Sequence, residues 1–340
     1  MQKLKVASNE AGQRLDKLLS KYLSQAGKGF LYKMMRKKNI TLNGKKCDGS
    51  ERVEEGDEIS LFLADETIEK FSAPLPELAA LGKEKDRNSG KAGKNGENGN
   101  RKKKQELSIV YEDKNVLIVN KPSGMLSQKA KEGDVSLNEH ILNYLIDSGH
   151  LPVSQLRTFR PSICNRLDRN TSGLVVAGTS LAGLQIMNGV LKDRSIHKYY
   201  QCIVKGKIDK PQMIAGFLKK DEAQNTVQIY PLEVEGSVPI MTEYVPVKSS
   251  DTATLLRVTL ITGRSHQIRA HLASIGHPII GDSKYGNEKI NHFYRERTGV
   301  KHQLLHAYRM IFADGRCVEA APPDDFNKAV CYANQNAAEQ

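Results

Sequence analysis

The chain of 340 residues is poor in the features that mark secreted, zinc-stapled or membrane-spanning proteins. It has no tryptophan, 6% aromatic residues and five cysteines, of which no two lie close together. An odd number of dispersed cysteines gives little support to a disulfide framework or a zinc site, so we expect a reducing, cytoplasmic location. No apolar run approaches a membrane helix, which needs about 20 residues, and no membrane contact is expected.

Positive charge is what the sequence has in excess. Lysine and arginine number 51 against 39 acidic residues, for a net charge of +12. Such a balance favours a polyanionic partner, of which nucleic acid is the commonest in a cytoplasm. Residues 82–105 hold nine basic and three acidic residues and nothing apolar larger than alanine, so half of the net charge lies there. We predict a flexible linker at residues 76–105, between a front domain of residues 1–75 and a back domain of residues 106–330.

The front domain is predicted to have two amphipathic helices followed by a small sheet. Apolar residues recur at helical spacing from Leu15 to Leu23 and again after Gly29, and Asn43-Gly44 is typical of a hairpin turn. This order resembles a small α/β RNA-binding domain first recognised in a ribosomal protein. The second helix has a basic face that is either only solvated or binds RNA; the residues predicted to bind RNA are Arg36, Lys37, Lys38 and Lys45.

The back domain is predicted to be α+β, built on a mainly antiparallel mixed sheet. Short apolar stretches of strand character are separated in several places by segments of helical periodicity. The predicted strands are residues 107–111, 116–120, 174–177, 199–204, 227–230 and 254–261, and the predicted helices are residues 137–147, 181–192 and 265–275.

A polar segment, Asn165 to Gly173, runs directly into the apolar strand at Leu174. Its one carboxylate, Asp168, stands between two arginines and is followed by Thr-Ser-Gly. Neighbouring cations favour the ionised form of a carboxylate, which suits a nucleophile or base, although an Asp that merely closes a loop is also possible. Arg-Leu-Asp recurs at residues 14–16 inside a predicted helix without Thr-Ser-Gly, so the longer segment carries the signal.

A second polar segment, Thr262 to Leu272, is predicted to start a helix capped by Ser265. Ile268 and Leu272 belong to its apolar stripe. Its other faces are either solvated or bind carboxylate and phosphate, for which the arginine fork is suited; they carry Arg264, His266, Gln267, Arg269 and His271. Histidines five residues apart diverge on a helix and make a poor metal pair.

Together these segments resemble the RluA-type pseudouridine synthases. The resemblance spans residues 107–325 in the family's order, and with the front domain the architecture is most similar to the subgroup that acts on large-subunit ribosomal RNA. One departure is Asn165, where the family usually has histidine. The matching blocks are Tyr111 to Asp113, Asn120 to Gly124, Asn165 to Leu174, Lys198 to Tyr200, Gly263 to Tyr285 and Leu304 to Ala307.

The resemblance implies an isomerase that converts uridine in RNA to pseudouridine without a cofactor or a metal, as a monomer. It implies that Asp168 is the nucleophile, that Arg264 keeps it charged and that Tyr200 stacks on the uracil. Leu305 would close the other face of that slot, and Arg166 would fill the space left by the flipped base. From the polar face of the second segment we expect further substrate contacts by His266, Gln267 and Arg269.

Several alternatives stay open at this point. Asp168 could add to the base or assist elimination at the sugar, and the modified uridine is not specified. Asn165 favours a catalytically silent RNA-assembly factor. A metal-dependent nuclease would use His266, His271 and Asp282, but no second acidic residue stands at ligand spacing.

Overall fold

The computed structural model describes residues 1–72, 106–131 and 133–335. Within the first of these segments a four-stranded antiparallel sheet has the order β1-β4-β2-β3 and is packed by helices. The elements are β1 Gln2–Lys5, α1 Leu15–Tyr22, α2 Lys28–Arg36, β2 Ile40–Leu42, β3 Lys45–Lys46, β4 Glu58–Leu61 and α3 Asp65–Phe71.

The front segment has an apolar core of its own. Helix α1 buries Leu15, Leu18 and Leu19, which its spacing of three and four residues brings to one face. The predicted hairpin is present: Asn43 and Gly44 join β2 to β3 with φ angles of 51° and 72°, the left-handed pair that a type I′ turn needs. The predicted linker, residues 76–105, lies outside the described residues, so the domain boundaries stay predictions.

The back segment contains the remaining elements. A capping box formed by Ser136 and Glu139 starts α4. The strands are β5 Ile109–Glu112, β6 Val116–Lys121, β7 Ser162–Ile163, β8 Ser172–Gly178, β9 His197–Lys205, β10 Gln212–Asp221, β11 Thr226–Tyr230, β12 Val238–Ser249, β13 Ala253–Leu260, β14 Leu305–Ile311 and β15 Cys317–Glu319. The helices are α4 Leu137–Asp147, α5 Leu181–Lys192, α6 Gln267–Ser274, α7 Glu288–Thr298 and α8 Asp324–Gln335, with a 3₁₀ turn at Val153–Arg157.

The strands of this segment form one large sheet, and the predicted α+β class is confirmed. Its order is β11-β10-β12-β13-β9-β14-β8-β6-β5, with β15 beside β14 and β7 beside β8. In the described part of the chain the pairings are antiparallel apart from β8 with β14, which run parallel. Every residue of β8 is buried, and this strand lies between β14 and β6, inside the sheet.

The six predicted strands are all present, and two of the predicted helices, α4 and α5, have the predicted bounds. Strands β10, β12 and β14 were not predicted. In β10 and β12 the buried and exposed positions alternate, but the residue types do not follow them, because Gly216 and Thr242 are buried while Met213 and Met241 are exposed. Strand β14 has an irregular burial pattern and pairs with β8 and β9, which are distant along the chain. No helix within the described ranges is long and apolar enough to cross a membrane.

Candidate active site

The loop that carries Asp168 is held to the sheet through its backbone. The Ser127 hydroxyl accepts from the Leu167 amide at 3.1 Å and donates to the Leu167 carbonyl at 2.7 Å. The Asp168 carbonyl accepts from the Thr171 amide at 3.0 Å, which closes a tight turn. These bonds fix the residues on both sides of Asp168, so its carboxylate projects from a rigid support.

Asn165, the departure from the family pattern, is part of this support. Its side-chain oxygen accepts from the Val176 amide at 2.8 Å, and its side-chain nitrogen donates to the Leu174 carbonyl at 3.3 Å. An amide has a donor and an acceptor on adjacent atoms, so it can satisfy both groups of β8 at once. Asn165 therefore anchors the loop to β8 without changing the charge beside Asp168.

Lys121, at the end of β6, is completely buried beneath the same loop. Its ammonium group donates to three backbone carbonyls, those of Pro122, Met125 and Arg169, at 2.9–3.1 Å. Burial lowers the pKa of Lys121 to about 7, and the negative charge of Asp168 opposes that decrease. Lys121 was not predicted as a site residue; the signals were a lysine at the end of a mostly apolar strand and its place in the matching block Asn120 to Gly124.

Strands β8 and β14 approach each other closely where the loop enters the sheet. Gly173 has a φ of 119°, and a Cβ atom there would lie 2.3 Å from the Ala307 carbonyl oxygen. Only glycine fits this position. One residue earlier on each strand, the Ser172 hydroxyl is hydrogen-bonded to His306 Nδ1 at 2.9 Å, and this bond also joins β8 to β14.

The partner of Asp168 is Arg269, and the prediction that Arg264 has this role is wrong. Arg269 donates from NH1 to Asp168 Oδ2 at 2.8 Å. Its other two nitrogens donate to both oxygens of Asp282 at 2.7 and 2.9 Å. Arg264 lies exposed before α6, and within the described residues no ion pair joins it to Asp168. Since α6 starts at Gln267, Arg269 is in its first turn and faces inward.

The guanidinium of Arg269 is nearly inaccessible, because 5% of its side chain is exposed. Burial by itself lowers the pKa of Arg269, but the hydrogen bonds and charge of Asp282, together with Asp168, raise it overall. Burial also disfavours the charged form of Asp282 and by itself raises its pKa. The hydrogen bonds and the charge of Arg269 more than offset this, so the pKa of Asp282 lies below its ordinary value. Both groups stay charged, and Asp168, 26% exposed, is the member that solvent or substrate can reach.

Helix α6 is buried on more faces than its apolar stripe predicted. Gln267 uses its whole side chain internally: its oxygen accepts from Thr262 and from the Arg264 amide, and its nitrogen donates to Met241 and Thr242. The structure therefore gives Gln267 a structural role rather than the predicted substrate contact. His271 is also buried, with Nδ1 on the Thr242 hydroxyl at 3.0 Å, because α6 packs against β11 and β12.

His266 stands between Asp168 and Tyr285 just before α6. Its Nε2 lies 3.9 Å from Asp168 Oδ2, and its Nδ1 lies 2.9 Å from the Tyr285 hydroxyl. Burial lowers the pKa of His266, an effect that Arg269 and Lys284 reinforce and that Asp168 opposes. His266, and not the predicted Ser265, occupies the cap position, with a left-handed φ of 55°.

Tyr200 and Leu305 lie on neighbouring strands of the sheet. Tyr200 on β9 pairs with Ala307 on β14, two residues from Leu305, and both side chains are buried. Burial raises the pKa of Tyr200, and the Asp168 carboxylate adds to the increase, so the phenol keeps its proton. Arg166, in contrast, is exposed on the loop two residues before Asp168.

The residues of the nuclease hypothesis do not form a metal site. His271 is bonded to Thr242, and both oxygens of Asp282 are bonded to Arg269. Among the described residues, no three His, Cys, Asp or Glu side chains are grouped so that they could hold a metal ion. In the front segment, the predicted RNA-binding residues Arg36, Lys37, Lys38 and Lys45 are all exposed.

The structure thus places a carboxylate on a rigid loop, paired with a buried arginine, where the loop enters the buried strand β8 of a mainly antiparallel sheet. The RNA pseudouridylate synthase family matches residues 115–274, which include Asp168 and Arg269. The fold is shared with human RNA pseudouridylate synthase domain containing 4, with a TM-score of 0.55 and 19% identity over 67% of this chain and 93% of that one.

The chain is therefore similar to the RNA pseudouridine synthases, which are isomerases. Among its relatives, ribosomal large subunit pseudouridine synthase C of Salmonella typhi is 29% identical over 317 residues, which are 90% of this chain and 87% of that protein. The enzyme of the same name from Escherichia coli K12 is 28% identical over the same shares of the two chains.

Proposed function

We propose that this chain converts specific uridines of large-subunit ribosomal RNA to pseudouridine, with Asp168 as the nucleophile. The observation that carries this proposal is the pairing of Asp168 with Arg269. It holds an ionised, partly accessible carboxylate on a loop that Ser127, Asn165 and Lys121 keep rigid. Preorganised charge of this kind is the usual source of an enzyme's largest rate contribution.

The reaction requires little besides such a group. The bond from the ribose C1′ to uracil N1 breaks, the base turns within the site, and C1′ bonds to C5. The proton on C5 is released, and N1 gains one, so the product is an isomer of the substrate. Asp168 can start the reaction by adding to the base or by assisting elimination at the sugar, and in either case it acts as a carboxylate. Arg269 donates a charge-assisted hydrogen bond to that carboxylate at 2.8 Å.

The surrounding residues are suited to an extruded nucleotide. Arg166 is exposed two residues before Asp168 and is free to occupy the gap that a flipped base leaves. Tyr200 and Leu305 supply an aromatic and an aliphatic side chain on adjacent strands, the pair expected to enclose the uracil. Flipping costs a few kcal/mol, which is least in loops and distorted helices, so these are the preferred targets.

Support for a ribosomal target comes from the relatives and from the charge distribution. The relatives are named for the large ribosomal subunit, and they match about nine-tenths of this chain, including the front segment. The exposed basic residues of that segment provide contacts to phosphates away from the site. A cytoplasmic location and a monomeric state stay predictions.

The test is the substitution Asp168→Asn, which keeps the shape and removes the charge. We expect pseudouridine formation in large-subunit ribosomal RNA transcripts to be abolished, with RNA affinity within about threefold of the parent. The matched control is Asp16→Asn, because Asp16 stands in the other Arg-Leu-Asp triplet; it should leave product formation unchanged. Full activity of the Asp168→Asn variant would refute the proposal.

The alternative of a silent assembly factor is tested in cells. Pseudouridines in ribosomal RNA are mapped in a strain that lacks the gene and in one that expresses the Asp168→Asn variant. We expect the same sites to be missing from both. A complete set of pseudouridines in the deletion strain would favour the silent factor. The reason that the sequence offered for it, Asn165, is weakened by the anchoring role of that side chain.

A further inference from the structure

His266 and Tyr285 form a hydrogen-bonded pair beside Asp168 that the reaction outlined above does not use. The Tyr285 hydroxyl makes two hydrogen bonds within the described part of the chain. It lies 2.8 Å from the Val227 backbone nitrogen and 2.9 Å from His266 Nδ1. The Tyr285 ring also contacts Arg269, whose guanidinium carbon lies over the ring, 5.2 Å from its centroid.

These two bonds favour one tautomer of a neutral His266. A backbone N–H can only donate, so the Tyr285 oxygen accepts from Val227. When the hydroxyl proton is donated to His266 Nδ1, both hydrogen bonds use the hydroxyl fully, and Nδ1 then carries a lone pair. The proton of the neutral imidazole is consequently on Nε2, the nitrogen that faces Asp168. Burial lowers the pKa of His266 and so favours this neutral form.

Within the described residues, the Nε2–H group has no hydrogen-bond acceptor. Asp168 Oδ2 is 3.9 Å away, beyond hydrogen-bond distance, and it already accepts from Arg269 at 2.8 Å. The His266 side chain is 12% exposed, so water has limited access to the free donor. The largely buried Nε2–H group of His266, next to Asp168, is therefore available to donate a hydrogen bond to an oxygen atom of the substrate.

We propose that His266 is a catalytic residue that donates a hydrogen bond from Nε2 to a carbonyl oxygen of the target uracil, with Tyr285 as its positioning residue. This inference rests on the proposed function. Loss of the base from C1′ leaves negative charge on the uracil ring and its carbonyl oxygens, and attack on the ring places charge on a carbonyl oxygen as well. The donor therefore stabilises both routes that remain open for Asp168.

A neutral imidazole is suited to this task because its N–H can polarise a carbonyl without releasing its proton. The backbone is consistent with a functional constraint. His266 has a φ of 55°, a left-handed conformation that is uncommon for a residue with a side chain. That conformation places the imidazole between Tyr285 and Asp168 rather than along the surface of α6.

The first measurement reads the tautomer directly and needs no turnover. Histidine-labelled protein is examined by ¹⁵N–¹H NMR near pH 7.5, and the His266 signals are identified by their loss in His266→Gln. We expect Nε2 to carry the proton in the parent protein and the tautomer ratio to change in Tyr285→Phe. A proton on Nδ1, or an imidazole that is positively charged at this pH, would overturn the inference.

The second measurement separates catalysis from RNA binding. Turnover is followed by release of tritium from C5-labelled uridine in a large-subunit ribosomal RNA transcript, and affinity by filter binding. His266→Ala should reduce kcat by about 100-fold with RNA affinity within about threefold, and His266→Gln, which retains an N–H donor, should recover about tenfold of the loss. His292→Ala, at an exposed histidine outside the site, is the control and should match the parent.

The outcomes distinguish this inference from the function on which it rests. If the parent protein forms pseudouridine and His266→Ala is equally fast, the hydrogen bond is refuted and the function stands. A loss confined to RNA affinity would also refute it. If the parent protein forms no pseudouridine while it binds RNA, the proposed function itself fails.

Discussion

Replacement of Arg269 by methionine should damage stability and activity for different reasons, and a second substitution can separate them. Arg269 neutralises Asp282, whose side chain is fully buried, and it also holds Asp168. Without the guanidinium, Asp282 Oδ2 loses the hydrogen bond from Arg269 Nε. The side-chain carboxylate then keeps the hydrogen bonds that the Lys284 and Tyr285 amides donate to Oδ1. Removing one member of a buried ion pair costs about 3–5 kcal/mol, so we expect Arg269→Met to lose that much unfolding free energy.

The double variant Arg269→Met/Asp282→Asn should recover most of this stability. The side-chain oxygen of the asparagine introduced at position 282 can still accept from the Lys284 and Tyr285 amides. Its buried N–H group lacks an acceptor, which should cost about 1–2 kcal/mol of unfolding free energy. Activity should not recover, because Asp168 still lacks its cation. The exposed Arg264 offers a matched control, and Arg264→Met should change the unfolding free energy by less than about 0.5 kcal/mol.

The assays are urea unfolding at pH 7.5 and tritium release from labelled RNA. Two results would refute the reasoning. A loss below about 1 kcal/mol in Arg269→Met would mean that Asp282 does not depend on the guanidinium. Recovery of activity along with stability in the double variant would mean that Arg269 serves only the structure and that Asp168 reacts without it.

Two further predictions concern stability. Burial lowers the pKa of His271 to about 4, so between that pH and about 6.5 the unfolded chain binds more protons than the folded chain, and stability falls as the pH falls. The unfolding free energy lost from pH 7 to pH 5 should be about 2 kcal/mol smaller in His271→Gln than in the parent, and equal losses for both in urea unfolding would contradict this. In α5, Gly189→Ala should raise the unfolding free energy by up to about 1 kcal/mol, because nothing lies within 4 Å of the added Cβ. Gly183→Ala should lower it by about 1–3 kcal/mol, because the added Cβ would lie 1.9 Å from the Asn115 carbonyl oxygen. A thermal shift of the same sign in both variants would refute the packing argument.

Local pattern was sufficient for the parts of the fold that local interactions govern. The helix of residues 137–147 was predicted with its bounds because its apolar periodicity and its capping residues are adjacent in sequence. The hairpin at Asn43-Gly44 was predicted because both residues tolerate a left-handed backbone. Strand β14 was missed because its partners β8 and β9 are distant along the chain, and no short window contains that information. Strands β10 and β12 pair with neighbours along the chain, but buried Gly216 and Thr242 and exposed Met213 and Met241 conceal their alternation.

In the candidate site too, the residue with a local sequence signal was predicted and the residue positioned by packing was not. Asp168 was found from sequence because its neighbours, two arginines and a Thr-Ser-Gly turn at the start of an apolar strand, are next to it in the chain. Its partner was not, because Arg264 and Arg269 are equivalent by composition and spacing alone. The left-handed residue at 266 starts α6 one residue later than Ser265 would, and the packing of α6 on the sheet turns Arg269 inward.

The sequence by itself carried the resemblance to RNA pseudouridine synthases, determined the α+β class and singled out Asp168 as the candidate nucleophile, since these depend on contiguous motifs and on hydrophobic periodicity. The tertiary structure decided which arginine pairs with Asp168, that Gln267 and His271 are internal, and that Lys121 and Tyr285 support the site. Those assignments depend on how helices and strands far apart in the chain are oriented when they pack together. A side chain's direction after packing is not encoded in its spacing along the sequence.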